Sequence, residues 1–497
     1  MVRRRVRPAG NRRWVRAWIM LVVGSACLAA GPGGCAKSAG RARSKPDAPN
    51  IILLTIESLR SDHIGCYGYE RATTPHIDGV ASEGTVYDNA FSVTSWTLAS
   101  HASIFTGLYP SAHRVIEPRD RLSDSYTTLA ERLKACGYQT AAAVSGTYLQ
   151  PPHNLNQGFE IYDTTPVRKP KTPATKDITN PRMQTAMFRF LTQRRDPDRP
   201  FFLFGYYWDP HHHYIPPPPY DSMFVPPGAQ KPKRIRFDPL FRLGRDINNK
   251  ELEYLIAQYD GEIRWTDDHL GRLWALLKEL GLWDHTAIII TADHAEEFYE
   301  HGRNSHKNSV YTESIHVPLI IKLAHQSQSG RDARVVSLID LYPTVLDIAG
   351  CPAGDAVYSG QSLLGDPVAG RPVFFELRSI WSYRNKRTHK KWNDVEDWEA
   401  VRDGPYKLVH VVNKSRGTKA SPRWELYDLR TDPAEKNPLI ANLKHPGKYA
   451  EVVGALQGKI ERWHKNMQSL RKLWSPSEQA QLSADEEQRL RSLGYLP

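Results

Sequence analysis

The stretch NIILLTIES, residues 50–58, is an apolar, β-rich run in which polar and apolar residues do not alternate, and it ends abruptly in Glu57 and Ser58. A strand wetted on one face alternates. A continuous run is the pattern of a strand buried on both faces, as in a parallel sheet covered by helices on either side. FFLFGYYW at 201–208 and TAIIITA at 286–292 repeat the pattern. Helix-periodic segments, YTTLAERLKACG at 126–137 and TDDHLGRLWALLKELG at 266–281, lie between and before them. Strands alternating with helices predict an α/β fold with a largely parallel central sheet in three layers. In such sheets ligands sit beyond the carboxyl ends of the strands. All three runs lead there into chemically capable residues: Glu57 and Ser58, Asp209 to His213, and Asp293 with His294.

The chain has 497 residues, too many for one ordinary core, which predicts two folded units or one large unit with an appendage. Its formal charge is +12, but eleven Lys and Arg precede Asp47, so the remainder carries only +1 (12 less 11). The basic balance therefore belongs to the N-terminus, and the rest offers no electrostatic case for a nucleic-acid partner.

Residues 1–35 read as an export signal or lipoprotein-type leader. Seven arginines (Arg3, Arg4, Arg5, Arg7, Arg12, Arg13 and Arg16) precede the apolar AWIMLVVGSACLAA, then small residues and Cys35. The apolar run is short for a membrane span. Lipidation at Cys35, simple cleavage and an uncleaved N-terminal anchor all remain open, each giving an exported protein of the periplasm or cell envelope with possible membrane attachment through the N-terminus. A polar linker covers 36–48. Beyond the leader only Cys66, Cys136 and Cys351 remain, an odd and sparse set that argues against a disulfide scaffold.

The catalytic domain is expected over 49–365. Within it, residues 164–249 are rich in Pro and basic residues (VRKPKTP, IPPPPY, QKPKRIRF) and read as a long surface excursion around the middle strand. RPVFFEL, GPYKLVHVV and RWELYDL predict short antiparallel strands in a smaller C-terminal α+β subdomain over 366–497. Its tail, SADEEQRLRSLGYLP, opens with a capping box, Ser483 and Glu486, and predicts a terminal helix.

Seven motifs stand in order: PNIILLTIESLRSDHIGCYGYERATTPHIDGVASEG, SWTLASHASIFTGLYPSAH, DPHHHY, TADHAEEFYEHG, VRDGPYKLV, ELYDLRTDPAEKNPL and the closing LGYLP. Together they resemble the sulfatase family of the alkaline phosphatase superfamily from about residue 49 to the C-terminus. Taken singly, carboxylates at wet strand ends need no ion; taken as a constellation, these residues favour a cation. Glu57 and Asp293 each follow an apolar strand, where an unpaired carboxylate costs several kcal/mol, and His294 adds a nitrogen. That oxygen-rich set suits Mn, Zn, Mg or Ca. The resemblance implies one divalent metal held by Glu57, Thr97, Asp293 and His294. Asp209 and His213 are a weaker candidate for a second cation.

The departures from the family pattern carry the functional reading. Where sulfatases have a pair of Asp, this chain has Glu57 and Ser58. Where they have C/S-x-P-x-R, whose first residue is oxidised to formylglycine, it has Thr97, Ala99 and His101. Threonine cannot yield that aldehyde, because oxidation at its β-carbon gives a ketone, so no formylglycine is expected. GYQTAAAVSGTYL, 137–149, stands where a GKWH-type segment binds sulfate. Glu and Thr at these positions resemble the lipoteichoic acid synthase and phosphoethanolamine transferase branches. The expected activity is a metal-dependent hydrolase or transferase that cleaves phosphate, or sulfate, esters with Thr97 as metal-bound nucleophile. His211 and His306 resemble the family's histidines at the substrate and leaving group, and His101 is a further catalytic candidate one helical turn from Thr97. Two alternatives stand beside it: a sulfuric ester hydrolase without formylglycine, and a non-catalytic envelope binding protein. Read locally, Thr97 is also an N-cap for the helix-like LASHASIFTG. The chemistry requires Glu57, Thr97, Asp293 and His294 to converge, with the Thr97 oxygen open to solvent.

Overall fold

The computed structural model describes residues 48–167, 178–232, 247–366, 368, 370–384, 391–413, 422–441, 443, 446–476, 478–493 and 495–496. The leader and nearly all of the linker lie outside the described residues. Strand Asn50–Ile56 is buried at every position, as its unbroken apolar run requires. It pairs in parallel with Phe201–Tyr207 on one side and Thr286–Ala292 on the other, both equally buried. These are the three runs read from sequence, and they form the centre of the sheet.

Across the sheet the order is Gly330–Ser337, Thr85–Phe91, Leu319–Lys322, Thr286–Ala292, Asn50–Ile56, Phe201–Tyr207, Gln139–Val144 and Ile161–Asp163. All these pairings are parallel except those of Leu319–Lys322, which runs antiparallel to both of its neighbours. Helices fill the layers around it. The longest, Asn249–Glu279, starts from a capping box, Asn248 with Glu251, well before the periodic segment at 266. The stretch 164–249 is not wholly a surface excursion: helix Asn180–Arg189 lies within it and buries Met183, Ala186 and Met187.

The C-terminal strands form the expected antiparallel sheet, Val373–Arg384, Lys391–Asp403, Tyr406–Asn413 and Arg423–Asp428. Helix Ala450–Leu470 covers it, burying Val453, Leu456 and Ile460 against Val401, Leu408 and Leu426, one apolar stripe at helical spacing. The sheet is joined to the main body through backbone and side chain. Glu376 N–H donates to Val93 O at 2.9 Å, and Ser111 N–H to Glu376 Oε1 at 2.8 Å. Cys136 and Cys351 form a disulfide across 215 residues, a single bond and not the disulfide scaffold that the sparse cysteines argue against. The two lie far apart in sequence, and only folding brings them together.

Candidate metal and ester site

Two strand ends and one helix start meet at the carboxyl edge of the sheet. Glu57 follows the central strand, Asp293 and His294 follow Thr286–Ala292, and Thr97 opens the helix Thr97–Thr106. Ser58 turns the chain sharply with φ of 53°, a left-handed conformation unusual for a residue with a side chain. The turn aims its N–H at Asp293 Oδ1, 3.2 Å away, and its hydroxyl at Glu57 Oε1, 3.0 Å away. His213, Ser305 and Lys307, also at positive φ, flank His211 and His306, so backbone strain gathers around this edge.

His294 Nε2 is the hub. It lies 3.1 Å from Glu57 Oε1, 3.5 Å from Asp293 Oδ2 and 3.2 Å from Thr97 Oγ1. Its Nδ1 donates to the Ala295 carbonyl at 2.9 Å, which leaves Nε2 as the inward-facing atom that a metal would take. The Thr97 hydroxyl stands 3.3 Å from each Glu57 carboxylate oxygen. The four residues predicted to converge therefore do so.

The electrostatics are those of a cation site. Burial pushes Glu57 up, but His294, with His211 and His306 behind it, holds the carboxyl well below the usual range. Burial, and then the Glu57 charge, raise Asp293 to about 8. Burial opposes protonation of His294, yet Asp293 and Glu57 lift it to about 10, so the imidazolium stands in for positive charge. Asp293 Oδ2 is buried and accepts no hydrogen bond among the described residues. An orphaned carboxylate oxygen, a glutamate, a hydroxyl and an imidazole nitrogen around one point fit a divalent ion. Glu57, His294 and His306 also place one ligand atom each within 4.8 Å of one another, as do His211, His212 and His306.

His211 and His306 roof the site. His306 Nδ1 bonds Glu296 Oε2 at 2.9 Å, and its Nε2 meets the Tyr495 hydroxyl at 2.7 Å; His211 Nε2 meets the same hydroxyl at 3.1 Å. Burial lowers the pKa of both histidines, so both rings are neutral at pH 7.

Four expectations are corrected. Thr97 is not the N-cap: Trp96 holds that position, and Thr97, the first helical residue, turns its hydroxyl to Glu57 and His294 instead of to an amide. The Thr97 oxygen does not face open solvent, since Thr97 is only 1% exposed. His101 does not reach the ester side. It is fully buried, with Nδ1 on the Thr97 carbonyl at 2.8 Å and Nε2 on Thr55 Oγ1 at 2.9 Å, so it steadies the helix start from below. Asp209 Oδ2 is not open to a second cation, because it accepts from Thr179 N, Thr179 Oγ1 and Asn180 N and caps the helix beginning there.

Sequence reasoning missed Tyr206, Glu296 and Tyr495. The signal for Tyr206 was present: a tyrosine inside a fully buried strand must satisfy its hydroxyl, and here it donates to Glu57 Oε2. Glu296 lies two residues beyond His294 in the TADHAEEF motif and orients His306. Tyr495 is 189 residues from His306, and nothing local announces the contact.

The Sulfatase family model matches residues 49–351, and the model for the C-terminal part of N-sulphoglucosamine sulphohydrolase matches 300–466. Arylsulfatase K of Bos taurus is 25% identical over 89% of this chain and 86% of its own length. The multifunctional alkaline phosphatase superfamily protein PehA of Trinickia caryophylli is 26% identical, over 83% of this chain and 95% of its own. Among solved structures, the phosphonate monoester hydrolase of Agrobacterium radiobacter superposes with a TM-score of 0.65 at 22% identity, covering 84% of this chain and 96% of that one.

Proposed function

Because this chain belongs to the sulfatase family, whose enzymes act on sulfuric or phosphoric ester bonds, we propose that it cleaves phosphate esters through Thr97 as the nucleophile. The observation that carries this reading is the placing of Thr97 Oγ1, 3.2 Å from His294 Nε2 and 3.3 Å from both Glu57 oxygens, at the start of a ten-residue helix. Enzymes of this family use a metal ion, and Glu57, Thr97, Asp293 and His294 would hold one divalent cation here. When bound, such an ion lowers the hydroxyl pKa and stabilises charge on the ester oxygens.

The rest is done by side chains. The Thr97 oxygen attacks phosphorus as the bond to the leaving oxygen breaks, and the hydroxyl proton passes to the Glu57 carboxylate. The free N–H groups of the helix start favour the anionic ester. His211 and His306 are neutral while the site is empty, but an anionic ester between them favours a protonated ring; that imidazolium holds the ester, gives its proton to the departing oxygen, and regains one from the water or alcohol that attacks next. Water or an alcohol then attacks phospho-Thr97 and frees the hydroxyl, a release step that needs no formylglycine. Incubation with an aryl phosphodiester should leave a phosphoryl adduct on Thr97, seen by intact mass, and Thr97→Ala should lose both adduct and turnover. Full activity in Thr97→Ala without any adduct refutes the role.

The names of the sulfatase relatives favour a second reading, a sulfuric ester hydrolase without formylglycine. Nitrophenol release from aryl sulfate, phosphomonoester and phosphodiester separates the two. A binding protein without catalysis has no use for the buried donor set around His294; it predicts no stoichiometric metal after dialysis. The basic leader supports export, and the Cys136–Cys351 disulfide supports an oxidising compartment such as the periplasm.

A further inference from the structure

The two histidines assigned above to the ester converge through His211 Nε2 and His306 Nε2 on a single oxygen, the Tyr495 hydroxyl, at 3.1 and 2.7 Å. Each imidazole nitrogen offers one N–H or one lone pair, so a nitrogen engaged by Tyr495 is not at the same time available to a substrate. A phenol oxygen held between these two rings has the chemistry of an aryl leaving group at the point where the leaving oxygen must stand.

The placement is built, not incidental. The helix Ala484–Ser492 starts from a reciprocal capping box between Ser483 and Glu486 and buries Leu490 completely. Arg119 pairs with Glu487 at 2.7 Å, and Ala480 N–H donates to Arg119 O at 2.7 Å. Tyr495 N–H then donates to Leu490 O at 2.9 Å, and the ring rests edge-on against Tyr148 at 5.1 Å between centroids. The helix is docked by its own contacts, so the phenol side chain can leave the histidines while the helix stays.

Resting on the ester-cleaving reading, we infer that Tyr495 fills the leaving-group position in the substrate-free enzyme and decides which leaving groups enter. A substrate must displace the phenol from His211 and His306, and the room it gains is that of one phenol ring. Tyr495 is thus a specificity-determining residue supplied by the C-terminal end of the chain to a site whose other members lie between residues 57 and 306.

The test compares Tyr495→Phe and Tyr495→Ala with the wild type on 4-nitrophenyl and bulkier 4-methylumbelliferyl esters of the class the wild type turns over. Losing two neutral hydrogen bonds to the phenol should lower KM roughly tenfold in Tyr495→Phe with kcat unchanged. Tyr495→Ala should raise the kcat/KM ratio of the bulky to the small ester about tenfold or more. A tenfold fall in kcat at constant KM in Tyr495→Phe, or an unchanged KM and an unchanged leaving-group ratio, overturns the inference. Should Tyr495→Ala fail to fold, Tyr495→Phe alone decides through KM. Calorimetric binding of tungstate to the metal-loaded protein gives a readout independent of turnover. A wild type inert to every ester sinks the ester-cleaving reading, whereas tungstate binding equally tight in wild type and Tyr495→Phe sinks the role of Tyr495.

Discussion

Tyr206 donates its hydroxyl to Glu57 Oε2 from the strand directly beside the one that ends in Glu57. The two sit in neighbouring strands of a parallel sheet, so the register that pairs Ile56 with Tyr207 also sets the phenol against the carboxylate. Tyr206 is buried, and burial, reinforced by the Glu57 and Asp293 charges, keeps its hydroxyl protonated and therefore a donor. Tyr206→Phe should weaken binding of a divalent ion by about 10- to 100-fold, the usual effect of removing a partner that orients a ligand. Competitive titration with a chromophoric chelator measures it; unchanged affinity would show that the hydroxyl does not orient Glu57.

Metal binding should release protons. Without an ion, His294 is raised to about 10 by Asp293 and Glu57 against the effect of burial, and Asp293 is raised to about 8 by burial and Glu57. An ion that takes the His294 nitrogen must expel its proton, so affinity should rise with pH up to about 10, and more steeply below about 8, where Asp293 must also give up its proton. A pH indicator in weak buffer at pH 7 should report about one proton or more per Mn or Zn bound. No release would mean that His294 is not a ligand.

The Cys136–Cys351 bond ties the helix Leu129–Ala135 to the chain after the helix Leu341–Ile348, across 215 residues. Closing so long a loop restricts the unfolded chain strongly, by about 5.4 kcal/mol in the entropic account. Cys136→Ser, or reductant with the wild type, should lower the urea midpoint correspondingly. Equal midpoints with and without reductant would show that the bond contributes nothing to stability.

Asp267 in the long helix accepts from His76 N–H and Ile77 N–H at 2.9 and 2.8 Å, tying that helix to the start of Pro75–Ala81. Burial, only partly offset by those two donors, raises it to about 7. A raised folded pKa means the stability linked to its proton is fully present below about 4, its unfolded value, and is lost as pH rises through about 7. Urea unfolding at pH 5 and pH 8 should therefore show the wild type losing a few kcal/mol that Asp267→Asn does not lose. Parallel pH slopes for the two proteins would count against it.

The strands of the sheet centre were legible because each had to be apolar along its whole length: Ile51 to Leu54, Phe201 to Phe204 and Ala287 to Ile290 are covered from both sides, and burial of that kind leaves no room for alternation. Glu57, Asp293 and His294 were legible for the opposite reason, as charge abruptly following apolar strands. The capping box at Ser483 is likewise local chemistry, and the helix begins there.

What the chain alone could not disclose depends on register and long-range closure. The same histidine spacing on a helix is compatible with His101 above or below Thr97, and only packing against Thr55 and Tyr206 puts it beneath. Asp209 reads as a ligand until the helix starting at Asn180 claims its carboxylate. Sequence thus determined which strands are interior and which groups carry charge at their ends, since both follow from the cost of burying or wetting a residue where it stands. Tertiary structure decided which of those groups share a centre, and that the phenol of Tyr495 covers it, because contacts between segments hundreds of residues apart are set by how the layers stack and by nothing adjacent in the chain.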